Sequence, residues 1–98
     1  MKKVEITLDG MQYDMVLDLR SALEFEKLHK KPLFIGVDEI TTKNDITAIV
    51  HLLCATCRDK NGKIISKDVV LGLDLLETLA LIMESFTKLL AREEAIEE

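Results

Sequence analysis

The chain has 98 residues, 48% of them hydrophobic and 32% charged, and a net charge of −5. That length supports a single core, which buries roughly 60–65% of the unfolded surface, and the composition excludes a disordered polyelectrolyte. The acidic balance also removes the clustered Lys and Arg that phosphate neutralisation requires, so nucleic acid is not expected as a partner.

Met1-Lys2-Lys3 leads into an alternating segment rather than an apolar h-region, so no signal peptide is expected and the cytoplasm is the expected compartment. Val4-Glu5-Ile6-Thr7-Leu8 has period two and ends at Asp9-Gly10, a dipeptide suited to the positive φ angles of a type I′ turn. Met11 to Leu17 returns as a second strand, which gives a hairpin over about 4–17. A lone hairpin is marginal in water, so one face must pack on the helices that follow.

Asp18 caps an expected helix over 19–30, in which Leu19, Ala22, Leu23, Glu26 and Leu28 form a partial apolar stripe with Phe25 nearby. The basic run Lys27, His29, Lys30, Lys31 suits a helix C-terminus, where cations complement exposed carbonyls, and Pro32 stops the helix. Leu33-Phe34-Ile35-Gly36-Val37, broken by Gly36, reads as either one helical turn or an extended link.

Thr41, Thr42, Asn44 and Asp45 offer capping oxygens ahead of a helix over 45–58, with Ile46, Ile49, Val50, Leu53, Cys54 and Cys57 on one face. Asp59-Lys60-Asn61-Gly62-Lys63 is a polar turn, with Asn61-Gly62 as a left-handed stop. A short helix over 66–71 ends at Gly72. The last helix, 74–92, starts at Asp74, with Glu77 placed for a capping box. Neither of the two strongest apolar stretches, Ile46 to Cys57 and Leu75 to Met83, is long enough to span a bilayer, so no membrane partner is expected.

The last helix is unusually apolar. Leu75, Leu76, Leu79, Ile82, Met83, Phe86, Leu89 and Leu90 fill an arc of about 140°, whereas a helix that only closes a core needs a stripe of roughly 100°. Leu81 lies outside the arc. Two readings stand: a central helix wrapped by the rest of the subunit, or a surface shared with another chain. The second is favoured, and it makes Leu75, Leu76, Leu79, Leu81, Ile82, Met83, Phe86, Leu89 and Leu90 the expected oligomer or client interface. The pattern fails after Arg92, and four glutamates among the last six residues oppose the helix dipole, so 93–98 is expected to be a frayed acidic tail.

Chemistry-bearing motifs are sparse. Cys54-Ala55-Thr56-Cys57 is a C-x-x-C, but it lies at the C-terminal end of an expected helix, where the dipole opposes a thiolate. A structural zinc needs four ligands, and beyond Cys54, Cys57 and His51 the chain offers only His29 at a distance. His51 reads as a surface or boundary residue and the cysteines as small core hydrophobes. No nucleophile elbow, phosphate loop or H-E-x-x-H is present. No enzyme activity, metal or cofactor is expected.

The stretch Val4 to Glu26, with its D-G hairpin turn followed by Arg20, Ser21, Ala22, Leu23, Phe25 and Glu26, resembles the start of tail assembly chaperones from long-tailed (siphovirus-type) bacteriophages. Thr42 to Leu53 is similar to the family's D-I-x-A-[LI]-[LV] helix start, and the acidic, Leu-rich close fits as well. The resemblance covers nearly the whole chain. It implies a protein that binds the long helical tape measure protein, keeps it soluble until the tail tube forms and is absent from the finished virion. Many members are also made as a longer frameshifted product. Cys54 to Cys57 and Asp59 to Lys63 have no counterpart role in that family.

The expected architecture is α+β: one domain over 1–92, an antiparallel hairpin packed against about four helices, the last one long. The expected partners are a second copy of the chain and an apolar helical client. The alternative is a small dimeric regulatory or adaptor protein.

Overall fold

The computed structural model describes residues 3–97, with side chains described through Lys88. Strands β1 (Lys3–Leu8) and β2 (Met11–Val16) pair antiparallel with Leu8 opposite Met11. Asp9 and Gly10 take φ of 51° and 79°, the two positive values that a type I′ turn demands. Ile6, Leu8, Tyr13 and Met15 face inward, so the alternation in the sequence becomes one buried sheet face.

Helix α1 (Leu19–His29) is capped as the sequence predicts, and Ser21 completes the box: Asp18 Oδ1 accepts from Ser21 N–H at 2.8 Å while Asp18 N–H donates to Ser21 Oγ at 2.9 Å. Its buried face is not the expected one. Ser21 and Phe25 are buried and Ala22 is half-buried, while Leu19, Leu23 and Leu28 are exposed, Leu19 at 90%. The face i, i+4, i+8 through Ser21, Phe25 and His29 turns inward because α1 packs against α3 (Ile46–Thr56).

Leu33 to Val37 is neither a link nor a single turn but part of a ten-residue helix, α2 (Leu33–Thr42), led by Pro32. Leu33, Gly36 and Ile40 are buried at i, i+3, i+7. Gly36 had suggested a break; instead it marks the point where α2 rests on the Phe25 ring. Thr41 and Thr42 therefore lie inside α2, where their hydroxyls donate to Asp38 O, and Asp45 alone caps α3 by accepting from Ala48 N–H at 3.1 Å.

The sequence carried α3 two residues too far. It ends at Thr56, whose hydroxyl donates to Leu52 O at 2.7 Å. Cys57 turns extended and begins β3 (Cys57–Arg58), which pairs antiparallel with β2 through Met15 to Cys57 and Asp14 to Arg58. The sheet order is β1-β2-β3. Asn61-Gly62 is accordingly not a helix stop: Gly62, with φ of 81°, sits in a tight turn that brings Ile64 back to Arg58. Asp59 Oδ1 organises that turn by accepting from Asn61 and Lys63 N–H.

Helix α4 (Lys67–Leu71) is capped by Ser66 and followed by Gly72. Helix α5 (Leu75–Glu97) starts beneath Asp74, whose Oδ2 accepts from Glu77 N–H at 2.9 Å, and packs on β1. The expected acidic tail over 93–98 lies outside the residues whose side chains are described. The whole is α+β, with one hydrophobic cluster joining the sheet face to Phe25, Ile40, Leu52, Leu53, Ile82 and Phe86.

Candidate functional site

The apolar arc of α5 divides once the tertiary structure is drawn. Thr78, Ile82, Ser85 and Phe86 are buried, and Leu79 and Leu81 are half-buried against the core. Leu75, Leu76 and Met83 are exposed, Leu76 at 74%. The helix is thus rotated relative to the leucine arc, with two small hydroxyl residues, Thr78 and Ser85, on the face that meets the core. Leu81, outside the arc, falls on the covered flank; Leu76 and Met83, inside it, fall on the open one. Ile82 and Phe86 belong to the subunit core rather than to an outer surface, and Leu89 and Leu90 lie outside the residues whose side chains are described.

The exposed start of α5 borders an apolar groove of about 250 Å³ between α3, α4 and α5. Its walls are Ile46, Ile49, Val50 and Leu53 of α3, Val70 and Leu71 of α4, and Leu73, Leu75 and Thr78 at the entrance to α5, with Asp74 on the rim. Ile46, Leu71 and Leu75 are each about half exposed or more. Periodicity alone did not reveal this groove, since its walls come from three elements, each contributing one or two open side chains. A second set of exposed apolar side chains occupies α1 and the start of α2: Leu19, Leu23, Phe34 and Ile35.

A wider polar cleft of about 850 Å³ lies beside the sheet and mixes Lys3, Arg20, Arg58 and Lys60 with Asp14, Asp18 and Asp59. Charges of both signs neutralise one another there, with Lys3 Nζ 3.5 Å from Asp14 Oδ2.

The cysteines are free. Cys57 is fully buried, and burial pushes its thiol up to about 12; burial also raises Cys54, which is half-buried. Both shifts oppose thiolate formation. His29 and His51 depart further from expectation. They are not distant: their Nδ1 atoms lie 2.9 Å apart, with ring centroids 5.2 Å apart in an edge-on arrangement. Desolvation, and then the neighbouring His29, hold His51 below its ordinary range.

No helix among the described residues is long and apolar enough to cross a membrane. No family model, curated protein or solved structure matches the chain.

Proposed function

We propose that this chain is a non-catalytic chaperone of phage tail assembly that holds an apolar helical client, the tape measure protein, in soluble form in the bacterial cytoplasm and does not remain in the finished virion. The observation that carries the reading is the groove between α3, α4 and α5, with Ile46, Leu71 and Leu75 open to solvent along its walls. An amphipathic helix laid into such a groove buries its own i, i+3, i+4 side chains against aliphatic walls. Each exposed apolar side chain so covered contributes roughly 1.5–3 kcal/mol, which offsets part of the freedom lost on association. The net charge of −5 keeps the loaded complex soluble. The likeness of Val4 to Glu26 to the chaperone family supplies the identity of the client. Self-association would cover part of the same surface and the open flank of α5 at Leu76 and Met83.

Co-expression with the tape measure protein tests the proposal directly. The client is expected in the soluble fraction with the wild-type chain and in the pellet with a Leu71→Asp, Leu75→Asp double variant that retains the wild-type circular dichroism. A client equally insoluble with and without the wild-type chain removes the chaperone reading. A strictly monomeric protein by light scattering at micromolar concentration removes the self-association.

A further inference from the structure

The corner where α1, α2 and α3 meet holds a group that the fold leaves unsatisfied. His29 closes α1 with its side chain only 6% exposed. Its Nδ1 is engaged with His51 Nδ1, but its buried Nε2 has no hydrogen-bond partner. Asp45 Oδ2 stands 3.6 Å away, beyond hydrogen-bonding range. Asp45 Oδ1 is committed to capping α3, which leaves Oδ2 facing the histidine. Glu39, near the end of α2 and 12% exposed, brings a second carboxylate. One ligand atom from each of His29, Glu39 and Asp45 lies within 4.8 Å of the others.

We propose that His29 Nε2, Glu39 and Asp45 form a binding site for a divalent transition cation, with zinc as the representative ion. The donor set, one imidazole nitrogen and two carboxylates, suits zinc and its first-row neighbours better than magnesium or calcium, which take oxygen alone. Tetrahedral bonds of about 2.1 Å, three to the protein and the fourth to water, place ligand atoms about 3.4 Å apart. The His29 to Asp45 separation of 3.6 Å is already close to that value. Glu39 closes the remaining distance by turning about its own side-chain bonds.

Two further features fit. A ligating histidine characteristically donates its second ring N–H to a neighbour that fixes its tautomer. The tautomer in which His29 Nδ1–H donates to His51 Nδ1 across their 2.9 Å contact leaves the Nε2 lone pair free for a metal. His51 is therefore a positioning residue. Lys31 meanwhile holds Glu39 Oε1 at 2.8 Å from a half-exposed side chain, and the exposed Lys43 holds Oε2 at 3.4 Å. The two ammonium groups supply the positive charge that adjacent carboxylates require, with Lys31 the closer, and both can swing into water when a dication replaces them. The cysteines take no part: Cys57 begins β3, at the far end of α3 from Asp45. A metal was not expected from the sequence, and the inference stands apart from the chaperone reading.

The test is titration of the chelator-treated full chain with zinc chloride at pH 7.5, by calorimetry and by competition with a zinc indicator. One zinc per chain is expected. Glu39→Gln and Asp45→Asn, the latter retaining a capping side chain, should each weaken binding about tenfold or more while circular dichroism stays at wild type. Lys31→Met should tighten it, and Cys54→Ser should leave it unchanged. The assignment is overturned by absence of binding, by undiminished affinity in both carboxylate variants, by unchanged or weaker binding in Lys31→Met, or by loss of binding in Cys54→Ser.

Discussion

Gly36 of α2 lies flat against the Phe25 ring of α1, so closely that a Cβ on Gly36 would come within 2.6 Å of Phe25 Cε2 and 3.3 Å of His29 Cδ2. Phe25 is fully buried, so its ring has little room to move aside. The glycine sets the separation of α1 and α2 and, with it, the position of His29.

Gly36→Ala carries two opposed effects. Alanine in a helix interior gains about 0.5–1 kcal/mol over glycine, and overpacking a tight core costs about 1–3 kcal/mol. Backbone contact with a fixed aromatic ring puts this site at the costly end, so a net loss of stability is expected in urea unfolding. A more stable variant would show that α2 can lift from α1 without penalty.

Asp18 caps α1, and the Ser21 backbone N–H holds its carboxyl below the usual carboxylate value. Asp18→Ala should cost about 0.5–2 kcal/mol. The folded carboxyl binds its proton less readily than the unfolded one. Its contribution is therefore complete above the unfolded pKa, near 3.9, and is lost as pH falls through the lower folded value. Asp18→Asn should keep most of the cap and remove this part of the acid dependence, measurable as the difference between variant and wild-type denaturant midpoints across that range.

Cys57, buried and with its thiol near 12, should resist iodoacetamide in the native protein at pH 8, where almost none of it is thiolate. Intact-mass analysis should show at most one slow addition, at Cys54, and two rapid ones in guanidinium. Rapid double labelling of native protein would mean that the β3 strand opens readily.

The two sides of α5 should respond differently to substitution. Ile82→Ala removes a fully buried side chain and should cost about 2–5 kcal/mol, and Phe86→Asp, which buries a charge in the same core, should prevent folding altogether. Leu76→Asp, on the open side, should change stability by no more than about 0.5 kcal/mol while reducing association. Thermal melts paired with light scattering separate the two classes.

The elements that local physics governs were legible in advance. Asp9-Gly10 dictated the hairpin because few other dipeptides take two positive φ angles; Asp18, Ser66 and Asp74 marked helix starts because their oxygens satisfy nearby N–H groups, whereas Asp45 was one of four candidates until α2 took in Thr41 and Thr42. The candidate groove was only partly legible. Leu75 and Leu76 stood out by their apolarity, but Ile46 and Leu71 became part of the same surface only when α3 and α4 came together. Leu81, expected at the same interface as Leu76, is instead half-buried against the core while Leu76 stays open, because a helical wheel ranks hydrophobicity and cannot see that Thr78 and Ser85 face the core.

The sequence by itself determined the hairpin, the α+β class, the cap residues and the surplus of apolar side chains on the last helix, all of which follow from interactions within a few residues along the chain. Only the tertiary structure decided that Cys57 leaves α3 to pair with Met15, that Gly36 continues a helix instead of breaking it, and that His29, Glu39, Asp45 and His51 share one corner. Those outcomes depend on which faces meet at close range, and the balance of burial and steric fit between distant segments is set by packing, which no local pattern records.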